Sequence, residues 1–468
     1  MQTLTRIVAV IGASYGGNHA SQMLAQGLPK DWRVFLVDRN THINHLYTMP
    51  RFATTPEEGY KAFIPYTNIF DVGAEDPKDM APHYFLNAHV TSVSNNSLTL
   101  SRAFPEHGID GDTPTLHFDY LIYALGAHLP GPIDLWGPVD PQEKPGQYPK
   151  HDGSKASALN WLQRFKDRNE KAKSILVVGG GALGIQYATD FANMWPNKTI
   201  TLLHSRERLL PRFDEGMHHE IMKSMSEFNI TTILGERLNT TLPPKIITLP
   251  DGTSERVVQT ENGREIHASV VLMCTGQKPN TEMIAEISPE CIVPDGPSRG
   301  MAVVNRHMQL SRILPKKALD ATADVQLEKT LASLSVDDAP QQILAGDAED
   351  PFKDDPEFEV ANPNIFVVGD SADAFGAIKA GHTAYWQGEV AVRNILRLVK
   401  QDDKDGEVEL EKYVPGAPAI KVSLGFSEGL YQVNGVIGRK TDCPRDLDAP
   451  LMWKFSGMDV SDEEMKKL

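Results

Sequence analysis

Twice in this chain an apolar strand runs straight into a glycine turn that opens a helix, and few folds can use that pattern twice. The first copy is Ile7-Val-Ala-Val-Ile11, then Gly12-Ala-Ser-Tyr-Gly-Gly17, then a helical stretch from His19 to Leu28. This is the form of the first βα turn of a dinucleotide-binding fold. Gly12 permits the tight turn. Ser14 stands where a second glycine usually lets the backbone approach a pyrophosphate. Gly17 lets the helix pack close to the strand, and Gly16 belongs to the same candidate cofactor turn. The helix N-terminus presents free N–H groups and a partial positive charge to phosphates. Alone the turn does not decide, because the same unit also occurs with no nucleotide bound.

The second copy is fuller. Ser174-Ile-Leu-Val-Val178 enters Gly179-Gly-Gly181-Ala-Leu-Gly184, a complete G-x-G-x-x-G, followed by a helix from Ile185 to Met194 and a strand from Thr199 to Leu203. An internal repeat of a nucleotide-binding turn is a much stronger signal than either copy alone. Two such sites imply two dinucleotides, and two dinucleotides imply a hydride passed between them.

The ends of the next strands separate the two sites. Trp32–Val37 closes on Asp38, placed to accept hydrogen bonds from a ribose hydroxyl. The second copy ends in His204-Ser-Arg206-Glu-Arg208. A basic, hydroxyl-bearing end suits a 2′-phosphate, so Arg206 points to NADPH ahead of NADH, with use of both open. Two more turns bring the chain back toward the nucleotides: Leu125-Gly126 after a strand, and Thr275-Gly276 after Ser269–Met273. Finally Ile365-Phe-Val-Val delivers Gly369 and Asp370 at a strand's carboxyl end, where Asp370 can accept a hydrogen bond from a polyol hydroxyl. A helix from Thr383 to Val399 follows.

Composition removes other classes. The 468 residues carry 46 Lys and Arg against 62 Asp and Glu, a formal charge of −16, which argues against nucleic acid as a partner. The three cysteines, Cys274, Cys291 and Cys443, form no close pair, so neither a disulfide framework, a cysteine zinc site nor a dithiol redox centre is expected, and no metal. Few cysteines and no apolar run of spanning length fit a reducing, cytoplasmic setting. Folding is expected to begin near Arg6, which leaves no room for a leader; Gln2 lacks the myristoylation signal, and the final Lys-Lys-Leu is not a convincing peroxisomal address.

Between the motifs, the loop Thr41–Arg51 is a candidate cofactor-lining segment, with Arg51 its cationic member. Tyr84–Val93, Ser97–Leu100 and Leu116–Leu125 read as a β-meander, and the Pro- and Gly-rich stretch Leu129–Gly153 as a linker. Arg212–Phe228 reads as an amphipathic helix and Thr231–Ile266 as alternating strands. Residues 313–361 read as a surface insertion with a short helix near Val325–Leu334. Ala419–Gly425 and Leu430–Ile437 read as a strand pair in a small C-terminal unit.

The ordered set Gly12–Gly17, Asp38, Leu125-Gly126, Gly179-x-Gly181-x-x-Gly184, Thr275-Gly276 and Gly369-Asp370 resembles the two-dinucleotide-binding flavoprotein superfamily. Within it the chain looks most like the apoptosis-inducing-factor-like branch that includes the ferroptosis suppressor proteins, with type II NADH dehydrogenases as near relatives. The resemblance implies an α/β fold: two Rossmann-like domains, an FAD domain (1–150 and 296–400) with an inserted NAD(P)H domain (151–295), and a small α+β C-terminal unit (401–468). It implies FAD held by Gly12, Ser14, Gly17, Asp38 and Asp370, and NAD(P)H held by Gly179, Gly181, Gly184 and Arg206. It implies hydride transfer to the flavin and electrons passed to a quinone-like acceptor or oxygen. Lys379 and His382 are candidates for protonating the acceptor. Gln186 stands where many relatives carry a glutamate near the nicotinamide. A flavin-dependent monooxygenase or oxidase, and a slow-turnover flavoprotein with a signalling role in cell death, remain as alternatives. The Baeyer–Villiger fingerprint F-x-G-x-x-x-H-x-x-x-W is absent. Oligomeric state and peripheral membrane contact stay open.

Overall fold

The computed structural model describes residues 5–73, 81–314, 352, 355–401 and 408–468. Strand β1 (Arg6–Ile11) is buried along Val8–Ile11 and leads into helix α1 (Tyr15–Gly27). It pairs in parallel with β2 (Trp32–Asp38), Ile11 opposite Val37, and β2 pairs in turn with β3 (Tyr84–Asn87). On its other side β1 pairs with β4 (Tyr120–Tyr123), whose four residues are all buried. A strand covered on both faces reads as a continuous apolar run, as β1 and β4 do.

The expected β-meander is smaller than its sequence suggested. Val90–Val93, Ser97–Leu100 and Thr115–His117 form it, while Tyr84–Asn87 and Tyr120–Tyr123 belong to the parallel sheet. The reason is burial: the Tyr-Leu-Ile-Tyr run of β4 has no polar face to give to water.

After α2 (Lys155–Lys171) the pattern repeats. Strand β5 (Ser174–Val178) leads into α3 (Ala182–Met194) and pairs in parallel with β6 (Thr199–Leu203). Helix α4 (Glu215–Glu227) starts at Asp214, whose side chain accepts from the Gly216 N–H, so the helix is shorter than Arg212–Phe228. Strand β7 (Thr231–Ile233) extends one edge, and β8 (Val270–Met273) flanks β5 as β4 flanks β1. Three antiparallel strands, Lys245–Thr248, Ser254–Gln259 and Glu265–Ala268, pack on this second sheet through Val258, Ile266 and Ala268.

The chain then returns to the first sheet with β9 (Gln309–Ile313) and β10 (Phe358–Val367), completing the order β9-β10-β4-β1-β2-β3. β9 and β10 pair antiparallel; residues 358–361, expected to end the insertion, belong to β10, and the expected helix at Val325–Leu334 lies outside the described residues. Helix α5 (Gly381–Gln401) crosses α1 closely: a Cβ on Gly16 would lie 3.1 Å from the Ala384 carbonyl oxygen.

The C-terminal unit holds three strands rather than two: β11 (Ile420–Leu424), β12 (Glu428–Val433) and β13 (Val436–Lys440). The run Leu430–Ile437 is broken by Asn434-Gly435, both with positive φ, the backbone a two-residue hairpin requires. Val422, Leu424 and Leu430 join the apolar core of the second sheet, whereas Trp453, Met458 and Met465 join that of the first. The unit is therefore seated on both.

Candidate active site

The carboxyl ends of both parallel sheets open into one cavity of about 1510 Å3, where α/β folds place their ligands. A single drug-sized ligand takes roughly 300–1,000 Å3, so this space is large enough for more than one.

The two glycine turns are built alike. A Cβ on Gly17 would sit 1.8 Å from the Gly12 carbonyl oxygen, and one on Gly184 would sit 1.9 Å from that of Gly179. The first glycine of each pair meets the returning strand: a Cβ on Gly12 would lie 2.4 Å from the Ala124 carbonyl oxygen, and one on Gly179 would lie 2.8 Å from that of Cys274. Gly17, Gly179 and Gly184 thus shape the turns without lining the cavity, and Gly276, at φ +79° with open space where a Cβ would stand, does not line it either. Gly12, Ser14, Gly16, Gly126 and Gly181 line it. At the N-terminus of α1 the Ser14 side chain makes no capping bond, and the capping position before α3 is Gly181, which has no side chain to cap it. Two helix N-termini with uncapped N–H groups face one cavity, an arrangement suited to two pyrophosphates.

Asp38 lines the first site. Its carboxylate accepts the Ala13 N–H at 2.7 Å, the Asn40 N–H at 2.7 Å and Asn40 Nδ2 at 2.9 Å. Burial pushes its pKa up, and these donors oppose the shift. Nearby the expected linker folds back as cavity wall: Ile133, Asp134, Leu135 and Trp136 line the space beside Asp38 and Arg39. The Arg39 guanidinium lies 4.2 Å over the Trp136 ring. A lone tryptophan in a Pro- and Gly-rich stretch was the signal available in the sequence.

The third wall comes from the turn after β10. Gly369 (φ +75°) donates its N–H to Gln387 Oε1 at 2.7 Å, and Asp370, Lys379 and His382 line the cavity. Burial pushes the Asp370 carboxyl up and the Lys379 ammonium down, each group opposing the other's shift. Burial also lowers His382, whose Nε2 is enclosed without a hydrogen-bond partner. Tyr15 Oη and His45 Nδ1 are 3.0 Å apart on the same side, with burial lowering His45 to about 4, so this imidazole is neutral at physiological pH.

At the second site the His204 ring lies under the glycine turn, its Nδ1 accepting the Gly180 N–H at 3.1 Å. Arg206 is exposed beyond it and does not line the cavity. Arg212, which does, donates to the Gly376 carbonyl. Gln186 is buried in the cavity wall and donates through Nε2 to Ser423 Oγ at 3.1 Å.

Arg51 is a correction. It does not reach the cofactor space: the side chain is 0% exposed and its guanidinium grips Asp190, with Nε 3.0 Å from Oδ2 and Nη2 3.1 Å from Oδ1. Its neighbours in the loop, His45 to Tyr47 and Met49, line the cavity instead. A short helix, Met49–Phe52, turns Arg51 inward. Sequence inspection also missed Ala419, Ile420 and Lys421, which line the cavity from β11 and the residue before it.

Paired Rossmann units, each closed by a returning strand and both opening on one cavity, define a flavoprotein that uses two dinucleotides. A family model for pyridine nucleotide-disulphide oxidoreductases matches residues 6–314, and the chain belongs to that family. It is 37% identical over 459 residues to Fe-regulated protein 8 of Mycosarcoma maydis, covering 98% of this chain and 96% of that protein. It is 25% identical over 464 residues to ferroptosis suppressor protein 1 of Taeniopygia guttata, covering 96% and 95% of the two chains. Among solved structures, a NAD-dependent persulfide reductase from A. fulgidus superposes with a TM-score of 0.56 at 17% identity, over 91% of this chain and 63% of that one, and so shares the fold. The protein is an oxidoreductase of the FAD- and NAD(P)H-dependent kind. It departs from the family's name in one respect. Cys274, Cys291 and Cys443 are all unpaired, and burial raises the Cys274 and Cys291 thiols, so no reactive dithiol stands in the cavity. Among the described residues no helix is long and apolar enough to cross a membrane.

Proposed function

We propose that the protein oxidises NAD(P)H and passes two electrons to a quinone-like acceptor. The observation that carries this reading is the pair of uncapped helix N-termini, at Ser14 and Gly181, opening into a single cavity that contains no cysteine pair. The flavin supplies the two-electron chemistry when bound. Gly12, Ser14 and Gly16 would hold its pyrophosphate at the N-terminus of α1, Asp38 would take a ribose hydroxyl, Gly369 and Asp370 would receive the ribityl chain, and Gly126 would line the same site. Gly17 keeps α1 close enough for this. Gly179, Gly181 and Gly184 would do the same for the nicotinamide dinucleotide against α3.

A quinone that takes up two electrons also takes up two protons. Lys379 carries a proton at an ammonium whose pKa is lowered by burial, which makes it a better acid than an exposed lysine. His382, whose pKa burial lowers, lines the same cavity with an unpartnered Nε2. The absence of a dithiol favours a small organic acceptor over a disulfide, and oxygen is the competing acceptor.

Two measurements test this. In an anaerobic titration, NADH or NADPH bleaches the flavin of the purified protein in a one-to-one ratio; a flavin that neither reduces would leave only a nucleotide-binding scaffold. A steady-state screen should then give faster turnover with ubiquinone analogues than with oxygen alone. The Arg206→Ala variant is expected to weaken NADPH by about 1 kcal/mol more than NADH, the scale of a charge-assisted contact at an exposed site. An equal effect on both cofactors overturns the 2′-phosphate role.

A further inference from the structure

Helix α3 carries three polar residues at helical spacing, Gln186, Asp190 and Asn193, on one face. Each has a partner within the protein. Gln186 Nε2 donates to Ser423 Oγ at 3.1 Å, and Asn193 Oδ1 accepts the Phe426 N–H at 2.9 Å. Between them Asp190 takes the bidentate grip of Arg51. The same guanidinium donates from Nη2 to the Gly425 carbonyl at 2.6 Å and from Nη1 to the carbonyls of Arg445, at 2.5 Å, and Phe426, at 3.5 Å. All five N–H donors are used, the Phe426 ring lies 4.7 Å from the guanidinium carbon, and both charged side chains are 0% exposed. One side chain therefore ties the Met49–Phe52 helix of the first unit, α3 of the second and the β11–β12 turn of the C-terminal unit.

We infer that Arg51 is a positioning residue for the active site: through Asp190 and the three carbonyls it fixes strand β11, so that Lys421 and the Gln186–Ser423 pair form the cavity wall beside the glycine turn of α3. Lys421 and Ser423 are two apart on β11 and share one face, while Val422 and Leu424 point into the core. Registering that face against α3 requires direction as well as adhesion. An apolar contact would hold the strand, but a planar fork with five bonds also fixes its orientation. The inference rests on the oxidoreductase reading, because the wall matters only if a nicotinamide dinucleotide binds at the Gly181 turn.

The test removes both charges together, so that neither is left buried alone: the paired variant Arg51→Met with Asp190→Leu, alongside Arg51→Lys, which keeps the charge but cannot fork. Replacing a buried ion pair by apolar residues of similar volume commonly preserves folding. The paired variant is expected to retain full flavin content per chain. Hydrogen exchange at residues 420–428 should rise about tenfold or more. The KM for NADH should rise about tenfold with kcat within about twofold, the pattern of lost binding that is shared by ground and transition states. Arg51→Lys should show the same two changes at smaller size, and it carries the test if the paired variant does not accumulate folded. Unchanged exchange at 420–428 together with an unchanged KM overturns the inference. If NADH fails to reduce the wild-type flavin, the oxidoreductase reading falls instead, and the exchange comparison still shows whether Arg51 fixes β11.

Discussion

A Gly17→Ala variant should purify with little or no flavin. The added methyl would stand 1.8 Å from the Gly12 carbonyl oxygen and 3.2 Å from Ala124 Cβ, and neither neighbour can yield: one is backbone in the tight turn, the other is the residue that β4 brings back beneath it. The first turn of α1 must then retreat by roughly 1.5 Å to restore ordinary contact. That retreat withdraws the N–H groups that face the cavity. Misplacement of that size costs about a hundredfold in affinity, or about 2.7 kcal/mol, for contacts that depend on orientation. Flavin absorbance per chain and FAD titration of apoprotein measure it; a variant that keeps full flavin would break the assignment of this turn to FAD. The companion variant Gly184→Ala meets the Gly179 carbonyl oxygen at 1.9 Å. It should keep its flavin and lose NAD(P)H binding, so the two turns separate the two ligands.

The single variant Arg51→Met should be the most destabilising exchange outside the glycine turns. It leaves the Asp190 carboxylate buried without its partner and strips donors from the carbonyls of Gly425 and Arg445. Breaking one side of a buried pair typically costs 3–5 kcal/mol, so a fall of about 4 kcal/mol in unfolding free energy is expected at pH 7. The deficit should depend on pH. Burial already pushes the Asp190 carboxyl up against the pull of Arg51, and without Arg51 it goes further up. Its folded pKa then lies above its unfolded one, so the folded state binds the proton more tightly. Stability from that proton is fully present below the unfolded value and is lost as pH rises through the folded one. The variant should therefore recover toward wild type as the pH falls from 7 toward 4. Denaturant midpoints across that range check this; a deficit below about 1 kcal/mol at pH 7, or one that does not shrink in acid, would contradict it.

The parts of the site that were legible in the sequence share a physical trait. Gly12, Gly179 and Gly369 adopt positive φ, and Gly17 and Gly184 permit backbone contact closer than any Cβ allows. Positive φ favours glycine and the close approaches admit nothing larger, so these demands show in the chain as glycines at fixed spacing after apolar strands. The strand Ser174–Val178 was likewise readable to the residue, because burial on both faces leaves the apolar run Ile175-Leu-Val-Val178, and Thr199–Leu203 was readable from its alternation of Thr199 and Thr201 with the buried Ile200 and Leu202. Asp38, Asp370, Lys379 and His382 follow from position, since a residue at the carboxyl end of a parallel strand, or in the turn after it, faces the cavity of an open α/β sheet.

Arg51, Trp136 and Lys421 were not legible in the same way. Each depends on which surfaces meet. A cation in an irregular loop looks the same whether it faces a phosphate or a buried carboxylate; the short helix at Met49–Phe52 and the counter-charge on α3 sent it inward. Gln186, Asp190 and Asn193 mark a polar face of α3, but helical period alone cannot tell whether water or another unit covers that face.

The sequence by itself determined two Rossmann turns, their order and the carboxylate of Asp38 at the end of the second strand, because these are local steric and hydrogen-bonding requirements written into nearby residues. Only the tertiary structure decided that a supposed linker walls the first site and that the C-terminal strand walls the second. It alone also showed that one buried guanidinium hydrogen-bonds to Asp190 and to the carbonyls of Gly425, Phe426 and Arg445. Those arrangements join residues as far apart as Arg51 and Arg445, and they exist only once the sheets have packed and the desolvated charges have found each other.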